Sequence, residues 1–421
     1  MHPINSWIEI PPQADFPLYN IPFGILRRPD GSFRAATAIG RQVVDLLALH
    51  ELGHLHIAGL DRQMLANAVL NPLIQAGKPV AQALRATLMQ LFDVSNTVPS
   101  LREKTAAFLV PVEKAEMVLP LDIRNYTDFY SSKEHATNVG SMFRDPDKAL
   151  LPNWKHLPVG YHGRASSIVV DKTPIRRPWG QILPKDATHP IFGPSQALDF
   201  ELEMAFVVGT SNPLGTPVAV ERAEEHIWGL MLFNDWSARD IQQWEYVPLG
   251  PFLGKSFAST VSPWIITLDA LEPFRCAGPI QDPQVLPHLR SEGSRTFDIA
   301  LEAWIQPQGS TPTRICQSNF NYLYWNMSQQ LAHHTSNGCN LQVGDLCASG
   351  TISGTEPGSY GSMLELAWRG TKPLRLPDGQ SRTFLEDGDT LSLQAYCQKD
   401  GLRLGFGTAS GTLLPALNQP A

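Results

Sequence analysis

The segment Asp199-Phe-Glu201-Leu-Glu203-Met-Ala-Phe-Val-Val constrains this chain more than any other. Its alternation has period two, the repeat of a β-strand. Asp199, Glu201 and Glu203 therefore share one face, and Phe200, Leu202, Met204 and Phe206 take the other. Alone, the segment fits either a half-buried strand with its carboxylates in water or a strand whose carboxylates line a cleft. Ala205 and Val207 continue the acidic face as an apolar one, which favours the cleft. Adjacent negative charges held out of water need a cation, and a hard divalent ion with oxygen ligands supplies it.

The rest of the chain reads as mainly β (α+β). Prolines (35) and glycines (32) are spread along its 421 residues, so short strands and turns are expected throughout, with no repeat or single linker. Residues 1-118 form one expected unit. Strand patterns at 24–27, 34–39 and 42–46 flank turn signals such as Pro29-Asp-Gly, and Val80, Leu84, Leu88 and Leu91 recur at helical spacing. Residues 119-421 form the second and larger unit, with strand patterns at 167–170, 203–208, 263–267, 297–304 and 390–396.

A net charge of −7, with no basic run or basic helical face, excludes nucleic acid and anionic membrane as partners. No long apolar run suggests a membrane span. The start Met1-His2-Pro3-Ile4-Asn5-Ser6-Trp7 lacks a secretory pattern, so a cytoplasmic location is expected. The five cysteines are widely spaced and include no C-x-x-C, so reduced, mostly buried thiols are expected.

Chemistry-bearing residues gather at strand ends. The apolar run Ile227 to Phe233 ends at Asn234-Asp235, and Ser237-Ala-Arg-Asp240 has capping-box form. Arg239, Gln242 and Tyr246 then fall on one helical face until Pro248, either as a solvated polar face or as an oxyanion-binding one. In Tyr126-Thr-Asp128-Phe-Tyr130-Ser-Ser-Lys-Glu-His135, Ser131 and Glu134 suit the cap of a short helix that carries His135. His54, His56, His333 and His334 have no third ligand at metal spacing and read as structural. Gly250-Pro-Phe-Leu-Gly254-Lys255-Ser256 has the wrong glycine spacing for a phosphate loop, and a strand pattern follows it.

Five ordered motifs, at 128–138, 157–167, 199–203, 234–240 and 348–354, closely resemble the fumarylacetoacetase family over nearly the whole chain. The resemblance implies a small N-terminal SH3-like barrel, a larger C-terminal β-roll/mixed-sheet catalytic domain, and a homodimer. It also implies hydrolytic carbon-carbon cleavage of 4-fumarylacetoacetate, a β-diketo acid, to fumarate and acetoacetate, the last step of tyrosine and phenylalanine degradation. By match to the family's motifs, Asp128, Glu201, Glu203 and Asp235 correspond to ligands of a divalent cation, Ca2+ and/or Mg2+. A second magnesium would lie near Asp235, Lys255 and Ser259, where Ala258-Ser259 stands in place of the family's Gly-Thr. Tyr130, Arg144, Tyr161, Gln242, Tyr246 and Thr351 correspond to substrate-binding residues.

Residue types agree with that chemistry. Water attack on a β-diketone needs a base, an oxyanion site and a sink for the departing enolate. His135 is the expected base with Glu365 to orient it, and Arg239, Gln242 and Lys255 are the expected oxyanion partners. Two rivals share the acidic site: a Lewis-acid lyase on the same catalytic domain, and a calcium-stabilised binding protein. The first leaves the N-terminal module and His135 unexplained; the second leaves His135, Arg239, Gln242 and Lys255 without a role.

Overall fold

The computed structural model describes residues 5–418; Met1 to Ile4, part of the start read above for a leader, lie outside the described residues. Near the N-terminus, strands Gly24–Arg27 and Phe33–Ile39 pair antiparallel across the Pro29-Asp-Gly turn. The turn closes because Asp30 accepts from the Ser32 backbone (2.9 Å) and Gly31 takes φ +83°, a conformation open to glycine. Strands Gln42–Asp45 and Leu109–Pro111 extend one side and Glu116–Val118 the other, giving a five-stranded antiparallel sheet that forms the small barrel.

Helix Lys78–Phe92 carries Pro79 in its first turn, where the missing N–H costs nothing, and ends as Asp93 turns extended. Its stripe of Val80, Leu84, Leu88 and Phe92 is buried, each side chain contributing about 1.5–3 kcal/mol. Leu91 sits half-buried at the edge of this stripe.

The larger region is built on two sheets. One has the order 160–162, 126–129, 346–348, 202–208, 227–235, 259–261, 168–170, with Ile266–Thr267 also paired to Ile227–Asp235. The other has the order 313–319, 300–306, 390–399, 402–414, 175–176. Between them Leu202, Met204, Phe206, Leu230 and Leu232 pack with Leu301, Leu391, Leu393, Leu404 and Phe406 in one apolar core. On the opposite face of the first sheet, Ala205, Val207, Met231, Phe233, Leu346 and Ala348 share a second core with Phe23, Ile25, Leu84, Leu88 and Phe92 of the N-terminal region. The apolar continuation of the acidic face is thus covered by the N-terminal barrel and its helices.

Three local expectations change. The 199–208 segment is not one strand: Leu198–Asp199 pairs with Ser237–Ala238, Phe200 breaks the ladder, and Leu202–Val208 joins the large sheet. That pairing engages Ser237, so it does not cap helix Arg239–Glu245; the helix starts after Ala238 with no side-chain cap. Asp240 bonds instead to Ser195 Oγ and the Gln196 backbone, both at 2.6 Å. For helix Lys133–Phe143 the cap is Ser132, whose Oγ accepts from the His135 backbone; Ser131 Oγ accepts from Gln330 Nε2.

All five cysteines are free, with Cys316, Cys347 and Cys397 buried. Among the described residues no helix is long and apolar enough to cross a membrane.

Candidate active site

Three strands of the large sheet and one isolated bridge deliver four carboxylates to one place. Asp128 lies on Tyr126–Phe129, Glu203 on Leu202–Val208 and Asp235 at the end of Ile227–Asp235, while Glu201 sits at a bridge to Ser362. One oxygen of each lies within 4.8 Å of the others, and none of the four residues is more than 5% exposed. The solvated reading of Glu201 and Glu203 is therefore overturned. No other such cluster of histidine, cysteine and carboxylate side chains occurs among the described residues, and His54, His56, His333 and His334 stay outside it.

The donor set fits a divalent cation. Asp128 Oδ1 and Glu203 Oε1 are buried with no hydrogen-bond partner, which in a native protein marks a missing electrostatic partner. Burial, followed by Asp235 and Glu201 as neighbouring charges, pushes the Asp128 carboxyl well above its usual range. Burial, then Asp128 and Glu201, does the same to Glu203. A bound dication reverses that balance, and all-oxygen ligation suits a hard ion.

Glu201 behaves differently. Burial opposes its ionisation, but Lys255 and Arg239 together hold its carboxyl well below the usual range. Lys255 Nζ lies 2.7 Å from Glu201 Oε2 and 2.9 Å from Asp235 Oδ2. Ser259 Oγ and Tyr161 Oη donate to the two oxygens of Asp235, at 2.9 and 3.0 Å. Asp235 is thus hydrogen-bonded on both oxygens.

The second half of the site lies beside the first. His135 Nδ1 is 2.7 Å from Glu365 Oε2, with both side chains buried. Glu365 stands on the single helical turn Met363–Leu366 and receives further donors from Asn138 Nδ2 (2.9 Å), Ser353 Oγ (2.9 Å) and Ser362 Oγ (2.9 Å). Burial raises its pKa, but His135 and these donors outweigh it, so the carboxyl titrates below its ordinary value. Tyr130 packs edge-on to His135, with ring centroids 5.3 Å apart.

Arg239 bridges the halves. Its Nε donates to Asp199 Oδ2 (2.8 Å), and its Nη1 reaches Glu201 Oε1 (2.8 Å) and Gln242 Oε1 (3.2 Å). Nη2 is buried with no partner, as is Thr351 Oγ1. The loop from 348 to 354 serves both halves. Gly350 donates its N–H to Glu203 Oε2 (2.9 Å), and Ser353 reaches Glu365.

Of the expected residues, Asp128, Glu201, Glu203, Asp235, Lys255, Ser259 and Tyr161 meet at the carboxylates, and His135, Glu365 and Tyr130 meet at the base, with Arg239 and Gln242 between. Arg144 and Tyr246 lie further out: both are exposed, and Arg144 Nη2 bonds the Ala149 carbonyl at 2.7 Å. Sequence reading missed the contacts of Asn138 and Ser353, although both stand in the quoted motifs. It also missed that Asp199 leaves the acidic cluster for Arg239.

A buried carboxylate cluster fitted to a divalent cation, set against a buried histidine-carboxylate pair and a guanidinium with a free donor, defines a hydrolytic enzyme built around a metal site. Residues 124–413 match the pattern of the fumarylacetoacetate (FAA) hydrolase C-terminal family, and residues 19–120 that of the fumarylacetoacetase N-terminal family. The chain is 52% identical over 418 residues to a fumarylacetoacetase of Homo sapiens, spanning 98% of this chain and 99% of the relative. It is 50% identical over 419 residues to one of Arabidopsis thaliana, again spanning 98% and 99%. Among solved structures, a fumarylacetoacetate hydrolase from psychrophilic Exiguobacterium antarcticum shares the fold with a TM-score of 0.53, at 18% identity over 94% of this chain and 99% of that one. The chain belongs to the fumarylacetoacetase family.

Proposed function

We propose that this site hydrolyses the carbon-carbon bond of 4-fumarylacetoacetate, releasing fumarate and acetoacetate in the last step of tyrosine and phenylalanine degradation. The observation that carries the reading is the buried His135–Glu365 pair at 2.7 Å. With Nδ1–H given to the carboxylate, Nε2 is left as the acceptor that takes a proton from water. Glu365, ionised and held by four donors, keeps the ring in that tautomer and stabilises the imidazolium that forms.

The free Nη2 of Arg239, with Lys255 and Gln242, supplies donors for the tetrahedral oxyanion, in a dry site where such bonds are strong. Asp128, Glu201, Glu203 and Asp235 would hold the cation, calcium or magnesium. When bound, it supplies Lewis acidity toward the diketone oxygens and the departing enolate charge. Lys255 and Ser259, which contact Asp235, are the residues that would border a second magnesium. Tyr130, Tyr161 and the unpartnered Thr351 Oγ1 orient the substrate, while Arg144 and Tyr246 receive its outer carboxylate end.

The catalytic unit is assigned to 119–421 and the N-terminal module to 1–118. A cytosolic location is consistent with five free thiols. A homodimer is supported by exposed apolar side chains gathered around helix Arg239–Glu245: Phe192, Trp244, Val247, Leu249 and Phe252.

The direct test is to incubate purified protein with fumarylacetoacetate and follow the loss of its ultraviolet absorbance, with and without chelator. Turnover that needs the metal is expected. No turnover with calcium or magnesium present would sink the assignment.

A further inference from the structure

Asp199 lies outside the carboxylate cluster, yet it is fully buried and accepts four hydrogen bonds. Oδ1 takes the backbone N–H of Phe200 (2.7 Å) and Met363 (2.6 Å); Oδ2 takes Leu364 N–H (3.0 Å) and Arg239 Nε (2.8 Å). A carboxylate has about four acceptor sites, so all of its capacity is used. Neutralising the charge needs only Arg239. The remaining contacts serve another purpose.

Met363 and Leu364 open the single turn that carries Glu365. One turn of helix has no stability of its own, and its first N–H groups have no partner within it. Ser362 Oγ accepts only from Glu365 N, at 3.4 Å. The turn is therefore docked by a carboxylate more than 160 residues earlier in the chain. At the other end, fixing Nε on Asp199 and Nη1 on Glu201 fixes the plane of the planar guanidinium, and with it the direction of the free Nη2.

We propose that Asp199 is a positioning residue that sets the Arg239 oxyanion donor and the Glu365–His135 base at a fixed separation. This rests on the hydrolase reading above. It adds that the two halves of the site are registered through one side chain which touches neither substrate nor cation.

Asp199→Asn is the test. The amide keeps one acceptor oxygen and turns its NH2 against two N–H donors. Expected is a fall in kcat on the order of 10- to 100-fold per folded molecule, with KM changed less than about threefold. In an Arg239→Lys background the same change should lower kcat by a smaller factor than in the wild type, because the share of its effect that acts through Arg239 is already lost. Unchanged kcat in the folded Asp199→Asn protein, or fully multiplicative losses, would overturn the proposal.

Should Asp199→Asn fail to fold, Met363→Pro removes only one docking N–H at a position where proline suits a helix start, and Met363→Ala controls for the side chain. Equal kcat in those two variants would overturn it as well. A readout independent of substrate is the downfield Nδ1 proton resonance of His135, expected to shift in Asp199→Asn and remain in Met363→Ala. An unshifted resonance counts against positioning. Absent turnover in the wild-type protein counts only against the hydrolase reading.

Discussion

His135 Nδ1 points at Glu365 Oε2 across 2.7 Å, from a helix whose cap, Ser132, also binds the loop that carries Ser353. Removing the imidazole leaves Glu365 with its three other donors, so the fold should survive. His135→Ala is expected to lower kcat by about 10²–10⁴-fold while circular dichroism stays unchanged. Activity within a few-fold of wild type would remove His135 as the base.

Acid should act through Glu365 in a defined direction. Its folded pKa is depressed below the ordinary 4.5, so its contribution is fully present above that value and fades as pH falls below it toward the folded pKa. The stability difference between wild type and Glu365→Gln, measured by urea unfolding, should be about 1–3 kcal/mol at pH 7 and shrink below pH 4.5. A difference that does not change with pH contradicts this account.

Chelation should destabilise as well as inactivate. Without the cation, Asp128 Oδ1 and Glu203 Oε1 stay buried and unpartnered, and a cation at 100 times its Kd contributes about 2.7 kcal/mol. The melting temperature is expected to drop with chelator and recover with calcium or magnesium. Glu203→Gln should abolish most of that response. A midpoint indifferent to chelator in the wild type would argue against a resident cation.

Two glycines separate strain from function. Gly31 and Gly350 both have left-handed φ, +83° and +75°, but a Cβ on Gly31 meets nothing, whereas one on Gly350 would come 2.1 Å from the Phe129 carbonyl. Gly31→Ala should cost about 1 kcal/mol and leave turnover intact. Gly350→Ala should cost more and lower kcat, since its N–H holds Glu203. Calorimetry and turnover on the pair decide it, and equal effects would contradict the assigned role of the loop.

Local physics made part of this legible in the sequence. Period-two alternation showed Glu203 pointing away from the sandwich core, and the stripe at Val80, Leu84 and Leu88 showed which helical face is buried, because both depend on neighbours in sequence. Five ordered motifs brought the cation ligands, His135 and Arg239 into view. Alternation does not show where a ladder breaks, so Asp199 could not be separated from Glu201. The pairing with Ser237 that does so is long-range. The cap expected at Ser131 falls to its neighbour Ser132, because the distant Gln330 engages Ser131. The docking of Met363 and Leu364 onto Asp199 has no local trace at all.

The second core, which joins Phe23, Leu84 and Phe92 with Val207 and Phe233, places the N-terminal barrel and its helices on the same face of the sheet that presents Glu203 and Asp235. The barrel is the dry wall of the reaction chamber. A minimal catalyst trimmed to the larger region would expose that strip to water and loosen the strands that aim the ligands. Damage to the barrel should therefore reach the chemistry without touching a reacting atom.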